Sequence, residues 1–233
     1  MKYQEAMRQL RALGTAQNRK VYGRHGVGRE MFGVSYADLG RIQKAIKVDH
    51  PLALKLWESG NHDACVLATK IADPSKITAR QLDAWARELD SYVLADAFSG
   101  LVMRTGMARR KFERWRKRKA EFVGQVAWNL LVSLARHDED LPDAYFEEQL
   151  ATIEREVHGR KNRVRYSMNL ALIAIGMRNA VLEKKAVAAA RRIGPIEVDH
   201  GQTGCKTPAP IPYIKRAKAR KKASGKTPKA RKA

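Results

Sequence analysis

At 233 residues the chain is long enough to bury a core of its own, as one large domain or two small ones. Its 46 Lys and Arg against 24 Asp and Glu leave a net charge of +22, which makes a polyanion the default partner, nucleic acid ahead of an anionic membrane surface. The longest charge-free apolar runs, around Phe122 to Ala135 and Tyr166 to Met177, are interrupted by Gln, Asn or Ser and fall short of the roughly 20 residues a spanning helix needs, so no membrane segment is expected.

Nearly every segment follows the helix period and almost none alternates strictly, which predicts an all-α protein. Tyr3, Ala6, Met7 and Leu10 form the first apolar stripe, in a helix over 2–13 that Gly14 ends. A short basic helix is expected near Asn18 to Tyr22, followed by the glycine-rich connector GRHGVGREMFGVS, which lacks the pattern of a phosphate-cradling loop. From Ser35 onward the spacing predicts helices at 36–47, 51–59, 61–72, 78–89, 91–105, 108–118, 120–136, 143–157, 163–180 and 181–192, separated by short breakers such as His50-Pro51 and Asp73-Pro74-Ser75. Thr78 and Gln81 have the form of a capping box. Antiparallel helices in succession, each with an apolar stripe, suit an α-solenoid of helix pairs, and a helical bundle satisfies the same periodicity.

The helix predicted at 91–105 sets Tyr92 and Asp96 four residues apart, which stacks an aromatic ring and a carboxylate on one face. Between Arg109 and Lys119 eight of eleven positions are basic, with Phe112 and Trp115 interleaved and only Glu113 opposing. That run reads as a phosphate-contacting surface carrying Arg109, Arg110, Arg114, Arg116, Arg118 and Lys119, with Trp115 as a DNA-contacting ring. Trp57, Trp85 and Trp128 sit on apolar faces and are assigned to the core. Residues 214–233 carry ten basic and no acidic side chains, and are expected to form a disordered arm after a helical domain at 1–213.

Cys65 and Cys205 form neither a CxxC pair nor a zinc spacing, and the N-terminus has no apolar signal core. A reduced, cytoplasmic setting is therefore expected, or a nuclear one in a eukaryote. His50, His62, His137, His158 and His200 show no metal-binding spacing, so neither a metal nor a small-molecule cofactor is expected.

The stretches FGVSYADL, HPLALKLWESGNHDACVLATKIADP, SYVLAD, KRKAEFV and NLALIAIGMRN resemble the AlkD-like DNA alkylation-repair family over about Met31 to Ile214. The resemblance implies HEAT-like helix pairs around a concave basic groove, and excision of positively charged alkylpurines such as 3-methyladenine and 7-methylguanine from double-stranded DNA; a solenoid groove of this kind works as a monomer. In the family the catalytic helix reads approximately Ser-Trp-Asp-x-x-Asp. Its final Asp falls at Asp96, while Tyr92 replaces the Trp and Val93 the first Asp. A second family aromatic falls at Leu170, a phosphate-contacting Arg at Lys119, and a HEAR-type tetrad at His62, Asp63, Ala64 and Cys65, without its basic residue. These departures leave two further readings beside the glycosylase: a non-catalytic, damage-recognising DNA-binding protein, and an RNA- or protein-binding solenoid.

Overall fold

The structure is a computed structural model that describes residues 1–223, with side chains through 220. Among the described residues there are helices and connectors and no strand. The helices are α1 (Tyr3–Leu13), α2 (Ala16–Arg24), α3 (Tyr36–Ile46), α4 (His50–Glu58), α5 (His62–Ile71), α6 (Ala79–Arg87), α7 (Tyr92–Met103), α8 (Ala108–Trp115), α9 (Glu121–His137), α10 (Asp143–Glu156), α11 (Asn162–Gly176), α12 (Ala180–Ile193) and α13 (Pro210–Ala223). No described helix is long and apolar enough to cross a membrane.

Local chemistry sets these boundaries. Ser35, Asp49, Asn61, Thr78 and Ser91 each accept a backbone N–H of the turn they open. Thr78 and Gln81 close the capping box in both directions. Asn179 caps α12 through the Leu182 N–H, which ends the apolar run of α11 earlier than its composition predicts.

The chain divides into two compact units, Met1–Leu130 with Asp199–Cys205, and Leu131–Val198 with the chain from Lys206 onward. In the first unit α5 is central, packing on α1, α3, α4 and α7, and every residue of it except Lys70 is buried. Its aromatic core stacks Trp57 on Trp85 with centroids 4.1 Å apart and planes 1° apart, and Phe98 lies 6.0 Å from Trp57. Trp128 meets Phe112 edge-on at 5.5 Å. In the second unit α10, α11, α12 and α13 pack on one another.

The glycine-rich connector is an ordered strap. The Asp63 carboxylate accepts the backbone N–H groups of Phe32, Gly33 and Val34 at 2.6, 3.0 and 2.9 Å. Gly33 has φ +82°, and a Cβ there would lie 2.6 Å from the Thr15 carbonyl, so this turn requires glycine. The carbonyls of the strap are taken from the other side, Phe32 by Arg19 at 3.0 Å and Val34 by the Tyr22 hydroxyl at 2.6 Å.

The boundary expected at 214 is corrected. Residues 214–223 continue α13, Ile214 is fully buried, and Lys218 pairs with Glu183. Ala, Lys and Arg are good helix formers, Pro210 and Pro212 fall in the first turn where their missing N–H groups are tolerated, and Ile214 anchors the helix beside Gly176. The remainder of the expected arm, 224–233, lies outside the described residues.

Candidate functional site

Asp96 is exposed on α7, one turn from the partly buried Tyr92. Its neighbours come from α9, whose apolar run from Phe122 to Ala135 is broken by Gln125, Asn129 and Ser133. Gln125 and Asn129 are also four apart and so share one face of α9, the face that meets Tyr92 and Asp96. Gln125 Nε2 donates to Asp96 Oδ1 at 2.8 Å and to the Tyr92 carbonyl at 3.1 Å. Asn129 Nδ2 donates to the same Oδ1 at 2.8 Å and to Ser99 Oγ at 3.3 Å. Two amide donors on one carboxylate oxygen orient the acid.

Tyr92 is held at its far end by His25, the C-cap of α2, whose Nδ1 is hydrogen-bonded to the phenol oxygen. The rings are 5.9 Å apart and tilted. An indole in place of Tyr92 has no hydroxyl to offer His25, so the tyrosine comes with its own anchoring contact.

Beside Asp96 an open cavity of about 260 Å³ lies between α3, α5 and α7. Asp96, Tyr36, Lys70 and Arg104 are on its wall. Partial burial, with smaller contributions from Tyr22, Asp96 and Asp63, pushes the Tyr36 phenol up.

The basic run divides on folding. Lys111 is 2 % exposed, its ammonium bonded to Asp83 Oδ1 and the Ala79 carbonyl, each at 2.7 Å. Arg116 pairs with Glu113 at 2.9 Å and Arg114 lies 3.4 Å from Asp83. Arg109, Arg110, Lys117, Arg118 and Lys119 are on the surface. Trp115 is corrected from a DNA-contacting ring to a core residue. It is 2 % exposed, its indole N–H donates to Asp83 at 2.9 Å, and Phe98 lies 6.0 Å away. Phe112 and Trp115 alternate with the cations because α8 is amphipathic, its aromatic face turned inward.

Leu170 is half-buried on α11, in the second unit. In the tetrad, Asp63 holds the strap and burial keeps His62 neutral against the opposing pull of Asp63 and Asp90. Arg29 lies beside the tetrad. It donates to Cys65 Sγ at 3.4 Å and pairs with Asp90 at 2.6 Å.

Sequence reasoning brings Tyr92 and Asp96 together and misses Gln125, Asn129, His25, Tyr36, Lys70 and Arg104. Only the first two of these leave a signal, as polar breaks spaced i, i+4 in an apolar helix.

Known proteins resemble this chain in sequence, and one of them in structure. The protein family described as DNA alkylation repair enzyme matches residues 6–207. An uncharacterized protein of Listeria innocua is 30 % identical over 219 residues, covering 91 % of this chain and 95 % of its own. One of Listeria monocytogenes is 31 % identical over 221 residues, covering 92 % and 96 %. A solved structure from a family related to the HEAT-like repeat DNA glycosylases, with affinity for branched DNA structures, superimposes with a TM-score of 0.87 at 24 % identity, over 95 % of each chain. The helix pairs are therefore those of a HEAT-like repeat fold rather than of a bundle.

Proposed function

Because the chain belongs to the DNA alkylation repair enzyme family, we propose that it hydrolyses the N-glycosidic bond of cationic N3- and N7-alkylpurines in double-stranded DNA, with Asp96 as the catalytic group. The observation that carries this reading is an exposed carboxylate whose Oδ1 is fixed by Gln125 and Asn129 at 2.8 Å each. Departure of an alkylpurine leaves cationic character at C1′ of the deoxyribose, as in glycoside hydrolysis. A carboxylate oriented before the reaction stabilises that charge without reorganising, and can hold the attacking water. The leaving base is already positively charged, so the C1′–N bond breaks with its electron pair going to the base and no general acid is needed. Tyr92, tied to His25, presents a ring of fixed orientation next to Asp96. The exposed cations Arg109, Arg110, Arg118 and Lys119 supply phosphate contacts.

A second reading keeps the DNA and drops the chemistry. It is favoured by Tyr92 and Leu170, which offer a deoxyribose less aromatic surface than the pair of rings the family resemblance implies, and by the affinity for branched DNA of the structurally similar protein.

One experiment separates the two. Release of 7-methylguanine and 3-methyladenine from methylated duplex is measured for the wild-type protein and Asp96→Asn, beside binding to a four-way junction and to a linear duplex. A mutant slower by roughly a hundredfold, the size typical of losing a preorganised electrostatic group, supports the glycosylase. No release above the spontaneous rate, with tighter binding to the junction, supports the second reading.

A further inference from the structure

Asp96, Gly100 and Arg104 succeed one another at four-residue steps along α7, so they lie in a row on one face, about 12 Å from end to end at 1.5 Å per residue. All three line the cavity described above, with Tyr36, Gln43, Thr69 and Lys70 on the opposite wall. Glycine inside a helix is destabilising relative to alanine. Gly100 has no packing reason to be there, because a Cβ built on it meets no atom within 4 Å. What its missing side chain does is leave the middle of the cavity open between the acid and the arginine.

The cationic end is built from two elements. Arg104 donates to the Thr69 carbonyl at 2.6 Å and to the Lys70 carbonyl at 3.4 Å, which fixes its guanidinium at the C-terminus of α5. Lys70 itself reaches over the Tyr36 ring, with Nζ 5.7 Å from the centroid. Tyr36 is 44 % exposed at the first turn of α3, its ring beside the Lys70 ammonium.

We infer that this cavity is a track for the sugar–phosphate backbone of one DNA strand, with phosphates at Lys70 and Arg104, a deoxyribose against Tyr36, and Gly100 as the gap through which the strand passes α7. The inference deepens the reading of Asp96 as a group that faces a nucleotide, and rests on it. It assigns the adjoining contacts to residues outside the basic run on α8. An anionic ligand belongs at the Lys70–Arg104 end and is repelled from Asp96, which orients the strand so that a sugar, not a phosphate, faces the acid.

The test uses the full-length protein and an undamaged duplex, so its answer does not depend on base release. Gly100→Leu fills the track. Because nothing lies within reach of the new Cβ, its melting temperature is expected to equal or exceed that of the wild type, while affinity for the duplex falls about tenfold or more; Gly100→Ala is expected to stay within about threefold. Lys70→Gln is expected to lower the log–log salt slope of binding by ~0.9, the loss of one phosphate contact. Deoxyribose 5-phosphate at millimolar concentration is the competitor that separates a strand track from a small-molecule site. Duplex affinity within twofold of wild type in Gly100→Leu overturns the inference, as does an unchanged slope in Lys70→Gln or displacement of the duplex by the free sugar phosphate. Should Asp96→Asn release bases as fast as wild type, the glycosylase reading falls, while the duplex affinities of the Gly100 and Lys70 variants still decide whether the track exists.

Discussion

Asn129 and Asp96 meet across α7 and α9, the amide of one donating to the carboxylate of the other at 2.8 Å, while the same amide also reaches Ser99 at 3.3 Å. The acid is thus positioned by a helix other than its own. Replacing either donor, Gln125→Leu or Asn129→Leu, is expected to slow base release by roughly tenfold to a hundredfold, the rate equivalent of one charge-assisted hydrogen bond of about 1.5–3 kcal/mol. Duplex affinity should stay within about twofold, since neither residue carries a charge that a phosphate would contact. Single-turnover rates beside equilibrium binding check both halves.

The bond between His25 and Tyr92 ties the C-cap of α2 to the first residue of α7. A double-mutant cycle of His25→Ala and Tyr92→Phe, followed by urea unfolding, is expected to give a coupling of about 0.5–1.5 kcal/mol. Additive single effects would show that the contact contributes nothing to the fold.

Asp83 and Lys111 make an asymmetric pair. Asp83→Ala leaves a buried ammonium with only the Ala79 carbonyl and the Trp115 face, and should cost about 3–5 kcal/mol, whereas Lys111→Met should cost much less. Burial pushes the Asp83 carboxyl up, but hydrogen bonds from Lys111 and Trp115 outweigh it and the net direction is down. A carboxyl held lower in the folded than in the unfolded chain contributes stability above its ordinary value of 3.8 and loses it as pH falls through the depressed one. Thermal melts from pH 6 downward should therefore show a shallower acid limb in Asp83→Asn than in wild type.

Residues 224–233 carry four cations, Lys226, Lys229, Arg231 and Lys232. Deleting them should flatten the salt slope of DNA binding by up to about 3.6, at ~0.9 per phosphate contacted. Deletion from 214 is a different experiment, because it removes buried Ile214 and the Lys218–Glu183 pair. That shorter chain should melt lower, and the pair of truncations read by calorimetry and by salt titration checks the distinction.

Much of the helical order is legible in the sequence because helix period, capping residues and short breakers all point the same way at each boundary. Ser91 and Thr78 open their helices as their types predict, and Tyr92 and Asp96 share a face because four residues is about one turn. Trp115 is misplaced by the same reasoning because a periodic pattern reports which residues share a face but not which way the face turns. On α8 the aromatic side is the inner one, and it carries Lys111 in with it. Composition misleads at the tail, since ten cations conceal the one isoleucine, Ile214, that anchors its first half. His25, Tyr36 and Lys70 leave no trace because they come from the end of α2, from α3 and from α5, and only tertiary packing makes them neighbours of Asp96 or Tyr92.

Asp63 devotes its carboxylate to three consecutive backbone N–H groups of the strap. During synthesis the strap emerges from the ribosome about thirty residues before the side chain that fastens it. The amino-terminal helices therefore reach their final seat only once the start of α5 has been made. Any shortened chain that begins beyond the strap would strand an anion in the protein interior with its partners gone. Loss of activity on changing Asp63 would then report failed assembly of the amino-terminal helices, and would be mistaken for chemistry if activity alone were followed.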